Sequence, residues 1–496
     1  MKFYKSFIVS VSVILFLAQK ETSAQTSQKA RIPYPTPDLA AFPELSKFGG
    51  FYDLPNSNND ERDIEFVSHE KRDGDSSEYI IGYLPSANQT VAGPQVIANM
   101  LNSKNNTNTD SQAENNGSVN TVMKFLNEDD VAKLKSSNQI AFVEKNIKAS
   151  LHPVELKPPS MSDFVQQTNR VMGNTVSLNR PMIDYQRTYT NNRNSWKSQR
   201  YSPWQLGAIS SYYNITSGYF PYGQEYYYPH TKKKVIAYVV DSGVNPDHFE
   251  LKGKVRIGEN FVVSEPNQDL IGHGTAVASL IAGKVNGVSK NTKIVSVKVI
   301  DQGGLGDLNY FLMAFKWIIN DKKKNYPKTP ALINFSINVN GSSVALENAL
   351  MEASKNNILV FCSAGNYNED ACNHAPAGSK YTLSSGSIQH INNLFDNKFS
   401  NYGTCVDIFA PGKFVFTAQF NNNQVRPNVG TSFASAITAG VGALILSSNP
   451  TFTAPQLKDA VLSSGLSGII GGLPPNTKNL LVWNGYTGPH STMTFI

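Results

Sequence analysis

The chain contains little cysteine and carries only a small excess of one charge sign. Three cysteines occur among its 496 residues in no metal-ligand spacing, which excludes a disulfide-built mini-scaffold and a zinc ribbon. The net charge is +6, from 44 Lys and Arg against 38 Asp and Glu, without a basic block or aromatic residues interleaved with basic ones. We therefore expect no nucleic-acid partner. The length predicts two or three domains.

An apolar run lies close to the N-terminus. Lys2 and Lys5 precede the run at 7–18, and the segment ends with small residues at 22–24. This pattern is typical of a secretory signal peptide, here residues 1–24. The alternative is a membrane anchor, but the run is shorter than the roughly 20 residues that span a bilayer as a helix. Since no later run is long enough either, we expect no membrane span and a protein that enters the secretory pathway.

Asn-x-Ser/Thr sequons are compatible with that compartment. Such sequons also arise by chance, and Asn334 lies in an apolar segment where a glycan would not fit. The six sequons begin at Asn88, Asn105, Asn116, Asn214, Asn334 and Asn340.

Changes in composition divide the rest of the chain. Residues 25–77 are rich in Pro, Asn, Ser and charge and have no apolar period, which predicts a disordered extension. Residues 151–200 carry seven basic residues against three acidic ones and a Pro-Pro pair, which predicts a linker. Between these segments, residues 78–150 predict a small α+β unit. Its predicted strands are 79–84, 119–126 and 139–147, and its predicted helices are 91–103 and 127–136.

Beyond residue 230, buried-strand patterns alternate with helical patterns. This alternation predicts an α/β fold in which a mainly parallel sheet is covered by helices on both faces. In such sheets the functional groups gather beyond the carboxyl ends of the strands. The predicted strands are 235–240, 293–300, 331–337 and 358–363, and the predicted helices are 308–320 and 343–356.

Four polar residues stand where such a sheet places its functional groups. Asp241 ends a buried strand, where an unpaired carboxylate is costly, and His273 lies between two glycines that allow close approach to the imidazole. Asn366 follows another strand, and Ser432 begins an apolar helix, whose N–H groups and dipole suit an oxyanion. Each has a simpler interpretation: a turn residue for Asp241 and Asn366, a structural histidine, and a helix N-cap for Ser432. Together they keep the Asp, His, Ser order of the subtilisin-type triad.

The sequence resembles the subtilases, and within them the proteinase K and cerevisin type. The resemblance covers about residues 201–465, and the segment 202–210 resembles the start of the mature enzyme. The unit at 78–150 resembles the family's inhibitory prodomain, a ferredoxin-like fold that assists folding. The motifs that carry the resemblance are 237–244, 272–275, 363–373, 399–403, 407–412 and 430–432.

This resemblance implies an acyl-transfer enzyme that needs no cofactor for its chemistry. Ser432 would be the nucleophile, His273 the general base and then acid, and Asp241 the group that fixes the imidazole tautomer. Asn366 would donate its amide to the oxyanion, beside the N–H of Ser432. The implied partners are protein or peptide substrates and the chain's own prodomain, and a monomer is expected.

Substrate is expected to bind as an added strand along two exposed edges. One departure concerns the second edge, since Asn338 stands where the family usually has glycine and is expected to narrow or polarise the pocket for the residue before the cut. Ala436 replaces a usual proline, and Ala276 replaces a usual histidine. The first implied edge is Gly303, Gly304, Leu305 and Gly306, and the second is Ser336, Ile337 and Asn338.

The resemblance also assigns the cysteines and a metal candidate. Cys372 and Cys405 resemble a bridged pair of some secreted relatives, and the secretory compartment permits the bridge. Cys362, in an apolar strand, is then a buried small residue. Asp407 resembles an aspartate that helps bind structural calcium in proteinase K-like enzymes. The alternative for Asp407 is a hydrogen-bonded acid at a strand end.

The favoured hypothesis is a secreted serine endopeptidase made as a zymogen and cut between residues 151 and 202. The alternative is a subtilase-fold binding or regulatory protein with little turnover, which Asn338 and Ala436 motivate. A structural wall or matrix protein would leave the four-residue constellation unexplained. The destination is open between the extracellular space, the cell or spore wall, and the vacuole or lysosome.

Overall fold

A computed structural model describes residues 76–83, 97, 100–101, 120–152, 196–210, 222–230, 233–390 and 393–487. The predicted signal peptide, nearly all of the predicted extension, and most of the predicted helix 91–103 and linker lie outside these residues. The same holds for the sequons at Asn88, Asn105, Asn116 and Asn214.

The first described unit is a small antiparallel sheet with a helix. The sheet has the order β2-β1-β3, and Ile80 in its central strand faces Met123 on one side and Glu144 on the other. Its helix begins after Asn127, whose side chain accepts from the N–H of Asp130 at 2.8 Å. The elements are β1 (Ser77–Tyr83), β2 (Asn120–Leu126), α1 (Glu128–Lys135), β3 (Ile140–Lys145) and β4 (Lys148–Ser150).

An antiparallel strand pair with a short helix leads into the large unit. The last five residues of the predicted linker 151–200 belong to the first of these strands. The segment gave no strand signal because polar residues dominate it and its pairing is with a distant segment. The elements are β5 (Trp196–Pro203), α2 (Trp204–Gly207) and β6 (Tyr222–Pro229).

The large unit is built on a nine-stranded sheet with the order β19-β20-β16-β15-β13-β11-β7-β9-β8. All neighbours pair in parallel except β19 and β20. The strands of the sheet are β7 (Ile236–Asp241), β8 (Val255–Asn260), β9 (Lys293–Lys298), β11 (Ala331–Phe335), β13 (Leu359–Ser363), β15 (Thr382–Ile388), β16 (Ile408–Pro411), β19 (Leu466–Ser467) and β20 (Leu480–Leu481). The short strands outside it are β10 (Leu305–Asp307), β12 (Val339–Asn340), β14 (His374–Ala375), β17 (Lys413–Ala418) and β18 (Val425–Val429).

Helices cover both faces of this sheet, which confirms the predicted fold class. Along β7, Ala237 and Val239 face one core together with α3, α6 and α7, while Ile236, Tyr238 and Val240 face a second core together with α4 and α5. This alternation is the period of two that a strand buried on both faces requires. The helices are α3 (His273–Ala282), α4 (Leu308–Asn325), α5 (Val344–Lys355), α6 (Thr431–Ser448) and α7 (Ala454–Ser464), and a 3₁₀ turn spans Ala371–Asn373.

The cysteines are arranged as the resemblance implies. Cys372 and Cys405 form a disulfide, and Cys362 is free and buried in β13. Burial raises the pKa of the Cys362 thiol to about 12, so the thiol stays protonated at neutral pH.

One helix among the described residues is long and apolar enough to cross a bilayer. It is α6, and 89% of its 18-residue window is buried inside the protein. Its apolar character is that of a core helix, because residues such as Ile437 and Val441 pack in the first core.

Candidate active site

Asp241 and His273 meet at the carboxyl end of the sheet. Asp241 is the last residue of β7, and His273 is the first residue of α3. The distance from His273 Nδ1 to Asp241 Oδ1 is 2.8 Å, and the two side chains are 2% and 0% exposed. The same carboxylate oxygen accepts from the N–H of Ser242 at 2.8 Å. Because a carboxylate accepts at Nδ1, this nitrogen carries the ring proton, which leaves the lone pair on Nε2.

The loop before α3 is held by glycine and by a buried acid. A Cβ atom on Gly274 would lie 2.1 Å from the carbonyl oxygen of Gly243, so only glycine lets the helix approach the strand end this closely. Asp269 accepts from the N–H groups of Gly272 at 2.7 Å and Thr275 at 3.0 Å. Asp269 thereby fixes the segment that carries the imidazole. Sequence reasoning missed it, although an acid three residues before a Gly-His-Gly motif was a usable signal.

A buried lysine fixes the turn after Asp241. Lys298 is fully buried and donates to the carbonyl oxygens of Ser242 and Ile300, each at 2.9 Å. It also lies 3.0 Å from a carboxylate oxygen of Glu265. The ammonium is thus surrounded by oxygens, as a buried charge must be. The sequence signal that could have indicated this role is a lysine inside an apolar strand.

Ser432 lies at the N-terminus of α6, directly before Phe433, which packs against His273. Gly430 precedes the helix with φ of 149°, a backbone conformation that favours glycine. Ser432 is 1% exposed, and its hydroxyl donates to the carbonyl of Ser336 at 3.1 Å. The ring of Phe433, the next residue, lies 5.5 Å from the imidazole of His273. The helix that begins with Thr431 and Ser432 therefore packs against His273 through its next residue, Phe433.

Asn366 is oriented by the residue that precedes Ser432. Its Oδ1 accepts from both the N–H and the hydroxyl of Thr431, each at 2.8 Å. Since both bonds go to the oxygen, the amide nitrogen faces away from Thr431. The arrangement presents a side-chain donor beside the helix N-terminus, which is the geometry that an oxyanion requires.

A polar network that the sequence did not reveal supports Ser432. Asn334 is fully buried, donates to the hydroxyl of Ser336 at 2.8 Å and accepts from the hydroxyl of Ser435 at 3.1 Å. Ser336 in turn donates to the carbonyl of Ser432 at 3.1 Å. This network ties β11 to the first turn of α6. The sequence indicates only that Asn334 begins a sequon where a glycan would not fit. The complete burial of its side chain explains why a glycan cannot be accommodated.

The first implied substrate edge is a turn followed by β10. Asp301 holds the turn, because its carboxylate accepts from the N–H groups of Gly303 at 2.8 Å and Leu305 at 2.9 Å. Gly304 has φ of 77°, which favours glycine, and Gly306 is buried within β10. Antiparallel pairing joins β10 to β4, with Gly306 opposite Ala149. The edge is thus able to accept an added strand.

The second implied edge follows β11 and contains the Asn338 departure. The Asn338 amide donates to the carbonyl of Ser363 at 2.9 Å and accepts from the Ser363 hydroxyl at 2.7 Å. This side chain therefore connects the segments that follow β11 and end β13. Ile337, between Ser336 and Asn338, is 1% exposed.

Comparisons with known proteins agree with this geometry. The model of the subtilase family matches residues 232–482. The chain is 33% identical over 291 residues to the subtilase-type proteinase psp3 of Schizosaccharomyces pombe, a match that covers 58% of this chain and 63% of that protein. It is 31% identical over 337 residues to the putative subtilase-type proteinase isp6 of the same yeast, which covers 67% and 71%. The chain belongs to the subtilase family of serine-type endopeptidases.

A solved structure supports the same conclusion. The crystal structure of a cold-adapted subtilisin-like serine proteinase matches with a TM-score of 0.51 and 32% sequence identity. The match covers 57% of this chain and 98% of the solved chain. Matched regions span somewhat less than two thirds of the first yeast relative and somewhat more of the second.

Two departures of this subtilase lie in its core. Ala276 in α3 is 2% exposed and Ala436 in α6 is fully buried, and both belong to the core that contains Ile437. Small side chains at these positions let α3 and α6 pack closely. Neither residue takes part in the hydrogen bonds of Asp241, His273 or Asn366 described above.

The calcium candidate of this subtilase has a cation from its own chain. A carboxylate oxygen of Asp407 accepts from the N–H of Ser384 and from the ammonium of Lys458, each at 3.0 Å. Lys458 also donates to the carbonyl of Thr382 at 2.6 Å. An aspartate oxygen and a backbone carbonyl are ligands that calcium prefers, but here they surround an ammonium group.

Proposed function

We propose that the protein is a serine endopeptidase made as a zymogen, and that Ser432, His273 and Asp241 cut peptide bonds through an acyl-enzyme. The observation that supports this most directly is the 2.8 Å contact between His273 and the fully buried carboxylate of Asp241. The carboxylate fixes the tautomer in which Nε2 accepts a proton and stabilises the imidazolium that forms.

The proposed reaction begins with rotation of the Ser432 hydroxyl from the carbonyl of Ser336 to Nε2 of His273. The oxygen attacks the substrate carbonyl while His273 takes the proton. Asn366 Nδ2 and the N–H of Ser432 stabilise the resulting oxyanion. His273 then protonates the leaving amine, and water hydrolyses the acyl-enzyme by the reverse sequence.

Strand addition at β10 is the proposed mode of substrate binding. Strand β4 already pairs there, with Lys148 opposite Asp307 and Ser150 opposite Leu305. Main-chain hydrogen bonds of this kind hold a peptide without regard to its sequence, while side-chain pockets provide selectivity. Protein or peptide substrates would therefore replace β4 in the mature enzyme.

Residues 78–150 contact the N-termini of α4 and α5, and these contacts support the zymogen proposal. The N–H groups at the start of α4 are bound by this unit: Leu308 donates to Ile147 O at 2.9 Å and Asn309 donates to Asn146 Oδ1 at 3.1 Å. At the start of α5, the N–H of Ala345 donates to the carboxylate of Glu144 at 3.1 Å. Both helix N-termini gain hydrogen-bond acceptors, and the start of α5 also gains the negative charge of Glu144, which favours helix formation. The contacts suit an intramolecular folding aid.

The end of the same unit reaches the active site, which supports an inhibitory role. Leu151 donates its N–H to the carbonyl of Gly304 at 2.8 Å. The imidazole of His152 then packs edge-on against the ring of Tyr367, with centroids 4.9 Å apart, and Tyr367 directly follows Asn366. While this segment is seated, a substrate cannot occupy the same edge. Cleavage between residues 151 and 202 would release it.

Secretion is proposed from the predicted signal peptide at 1–24. The described part of the chain adds the Cys372–Cys405 disulfide, which persists in oxidising compartments. The proposed destinations are the extracellular space, the cell or spore wall, and the vacuole or lysosome.

An active-site fluorophosphonate probe tests the enzymatic proposal. The probe is expected to label the secreted, processed protein and to leave Ser432→Ala unlabelled, because only an activated serine reacts. Ser448→Ala, at the other end of α6, is the matched control and should be labelled like the wild type. Folded and processed wild-type protein that resists the probe would refute the proposal.

The second candidate is a subtilase-fold binding or regulatory protein with little turnover. The Asn338–Ser363 bridge favours it, since an occupied pocket would slow catalysis. Stable retention of residues 78–150 after cleavage, without hydrolysis of unfolded casein, would support this alternative. Casein hydrolysis that Ser432→Ala abolishes would exclude it.

A further inference from the structure

Asp407, Thr382 and Lys458 come together from three separate elements. Asp407 immediately precedes β16, Thr382 begins β15, and Lys458 lies in the middle of α7. The parallel pairing of β15 and β16 places the first two residues at the amino ends of adjacent strands. Helix α7 packs over them, with Leu457 and Val461 buried in the first core. Because the apolar face of α7 packs against the core, it determines the direction in which the Lys458 side chain extends.

The oxygens at this position are the kind that bind cations. They are a carboxylate oxygen of Asp407 and the backbone carbonyl oxygen of Thr382. Hard oxygen donors of these two types also make up calcium sites, with six to eight ligands in all. The resemblance to proteinase K-like enzymes assigns calcium to Asp407. The chemistry of the two donors fits that assignment, but the position between them is already filled.

The ammonium group of Lys458 occupies the position between the Asp407 and Thr382 oxygens. Its Nζ lies 2.6 Å from the Thr382 oxygen and 3.0 Å from Asp407 Oδ2, so one cation bonds both donors. The side chains of Lys458 and Asp407 are 18% and 23% exposed, which limits screening of the pair by solvent. A divalent ion on Asp407 would stand close to a fixed positive charge and would be repelled by it.

We propose that Lys458 is the permanent counter-cation of Asp407 and takes the place of the calcium ion that the resemblance assigns there. The N–H of Ser384 adds a second donor to the same oxygen, at 3.0 Å. The carboxylate is thus neutralised by groups of the chain itself. Folding at this position then needs no calcium, whatever other sites the protein has.

Calcium counting is the first test. Full-length protein carrying Ser432→Ala, which prevents self-digestion, is titrated with calcium by calorimetry, beside the same protein with Asp407→Asn. The two proteins are expected to bind the same number of calcium ions with the same affinities. Loss of one bound ion in Asp407→Asn would overturn the proposal.

Thermal unfolding in EDTA is the second test. Lys458→Ala leaves the Asp407 carboxylate without its cation and is expected to lower the Tm by roughly 3–6 °C. Lys355→Ala is the matched control, because Lys355 is 53% exposed and pairs with Glu352 only at the surface of α5, so its Tm should change by less than about 1 °C.

Two results of the thermal unfolding measurements would contradict the proposal that Lys458 takes the place of calcium. One is a Tm of Lys458→Ala equal to that of Lys355→Ala. The other is a Tm of the parent that rises with calcium when that of Asp407→Asn does not. If Lys458→Ala fails to fold, calcium counting on the parent and Asp407→Asn decides alone. Neither experiment measures activity, so the outcome is independent of the proposed peptidase function.

Discussion

Two aspartates of one sheet show how a partner decides what an acid does. Asp241 ends strand β7 and bonds the imidazole of His273, whereas Asp407 precedes strand β16 and bonds the ammonium of Lys458. An imidazole gains and loses a proton near neutral pH, but a lysine ammonium keeps its charge. The first acid can therefore support a proton transfer. The second acid has a constant partner and contributes to stability.

The two aspartate side chains also differ in their exposure to solvent. The Asp241 side chain is 0% exposed, whereas that of Asp407 is 23% exposed. The pairing of Asp407 resembles the Lys298–Glu265 pair below the active site, where an ammonium also bonds backbone carbonyls. In both of these pairs an ammonium group is the partner of the carboxylate, whereas the partner of Asp241 is an imidazole.

The largest expected effect comes from exchanging each aspartate for asparagine. Asp241→Asn should lower kcat by about ten-thousandfold, because an amide favours the wrong imidazole tautomer. Asp407→Asn should leave kcat within about twofold, because its carboxylate does not touch the reacting groups. Steady-state hydrolysis of a peptide substrate measures both, on protein matured in the same way.

The opposite pattern would break the comparison between the two acids. A loss of more than tenfold in kcat for folded Asp407→Asn would mean that the Lys458 pair supports catalysis. Full activity of Asp241→Asn would mean that the Asp241 carboxylate is not needed to fix the tautomer of His273.

The sequence was most informative where function depends on residues next to strand ends. Asp241, His273, Asn366 and Ser432 are each marked by a strand or helix boundary, and parallel strands bring such boundaries together. The helix bounds were also close, since 343–356 was predicted and α5 is Val344–Lys355. Local patterns report on local structure and on the common edge of a sheet.

Contacts between distant elements could not be predicted in this way. Lys458 lies 51 residues from Asp407 in a separate helix, and no periodicity reveals which residue a helix places over a strand end. The Asn334–Ser435 bond spans 101 residues for the same reason. The pairing of β4 with β10 joins the prodomain-like unit to the substrate edge, and β4 has only three residues. Such contacts depend on tertiary packing.

An effect of intermediate size is expected from Asn338, which belongs to the second implied substrate edge. Asn338→Gly removes the amide that bridges to Ser363 and should raise kcat/KM for substrates with a large apolar residue before the cut by about 10- to 100-fold relative to small ones. Peptide substrates that differ only at this residue measure the ratio.

A graded series sharpens the Asn338 prediction. Asn338→Ala should lie between Asn338→Gly and the wild type, because the pocket widens stepwise. Ser363→Ala, which removes one of the two hydrogen bonds but leaves the side chain of Asn338, should change the ratio least. An unchanged ratio in Asn338→Gly would show that this side chain does not limit the pocket.

The smallest expected effect compares His273 with a second buried histidine, His390. The ring of His390 packs against Trp204 and Phe414, with centroids 6.2 and 5.0 Å away. Burial, and then the charge of Lys413, lowers the pKa of His390 to about 3. Below pH 6.5 the unfolded chain binds a proton that the folded protein does not, so stability falls as the pH decreases from 6.5 toward 3.

His390→Gln should remove that contribution to acid sensitivity. Between pH 7 and pH 5.5, the free energy of unfolding of the Ser432→Ala parent should fall by about 1 kcal/mol more than that of the variant. Urea unfolding at the two pH values measures this difference. His230→Gln, at an exposed histidine, is the control and should follow the parent. Equal pH dependence of parent and His390→Gln would mean that burial does not lower the pKa of His390 in the folded protein.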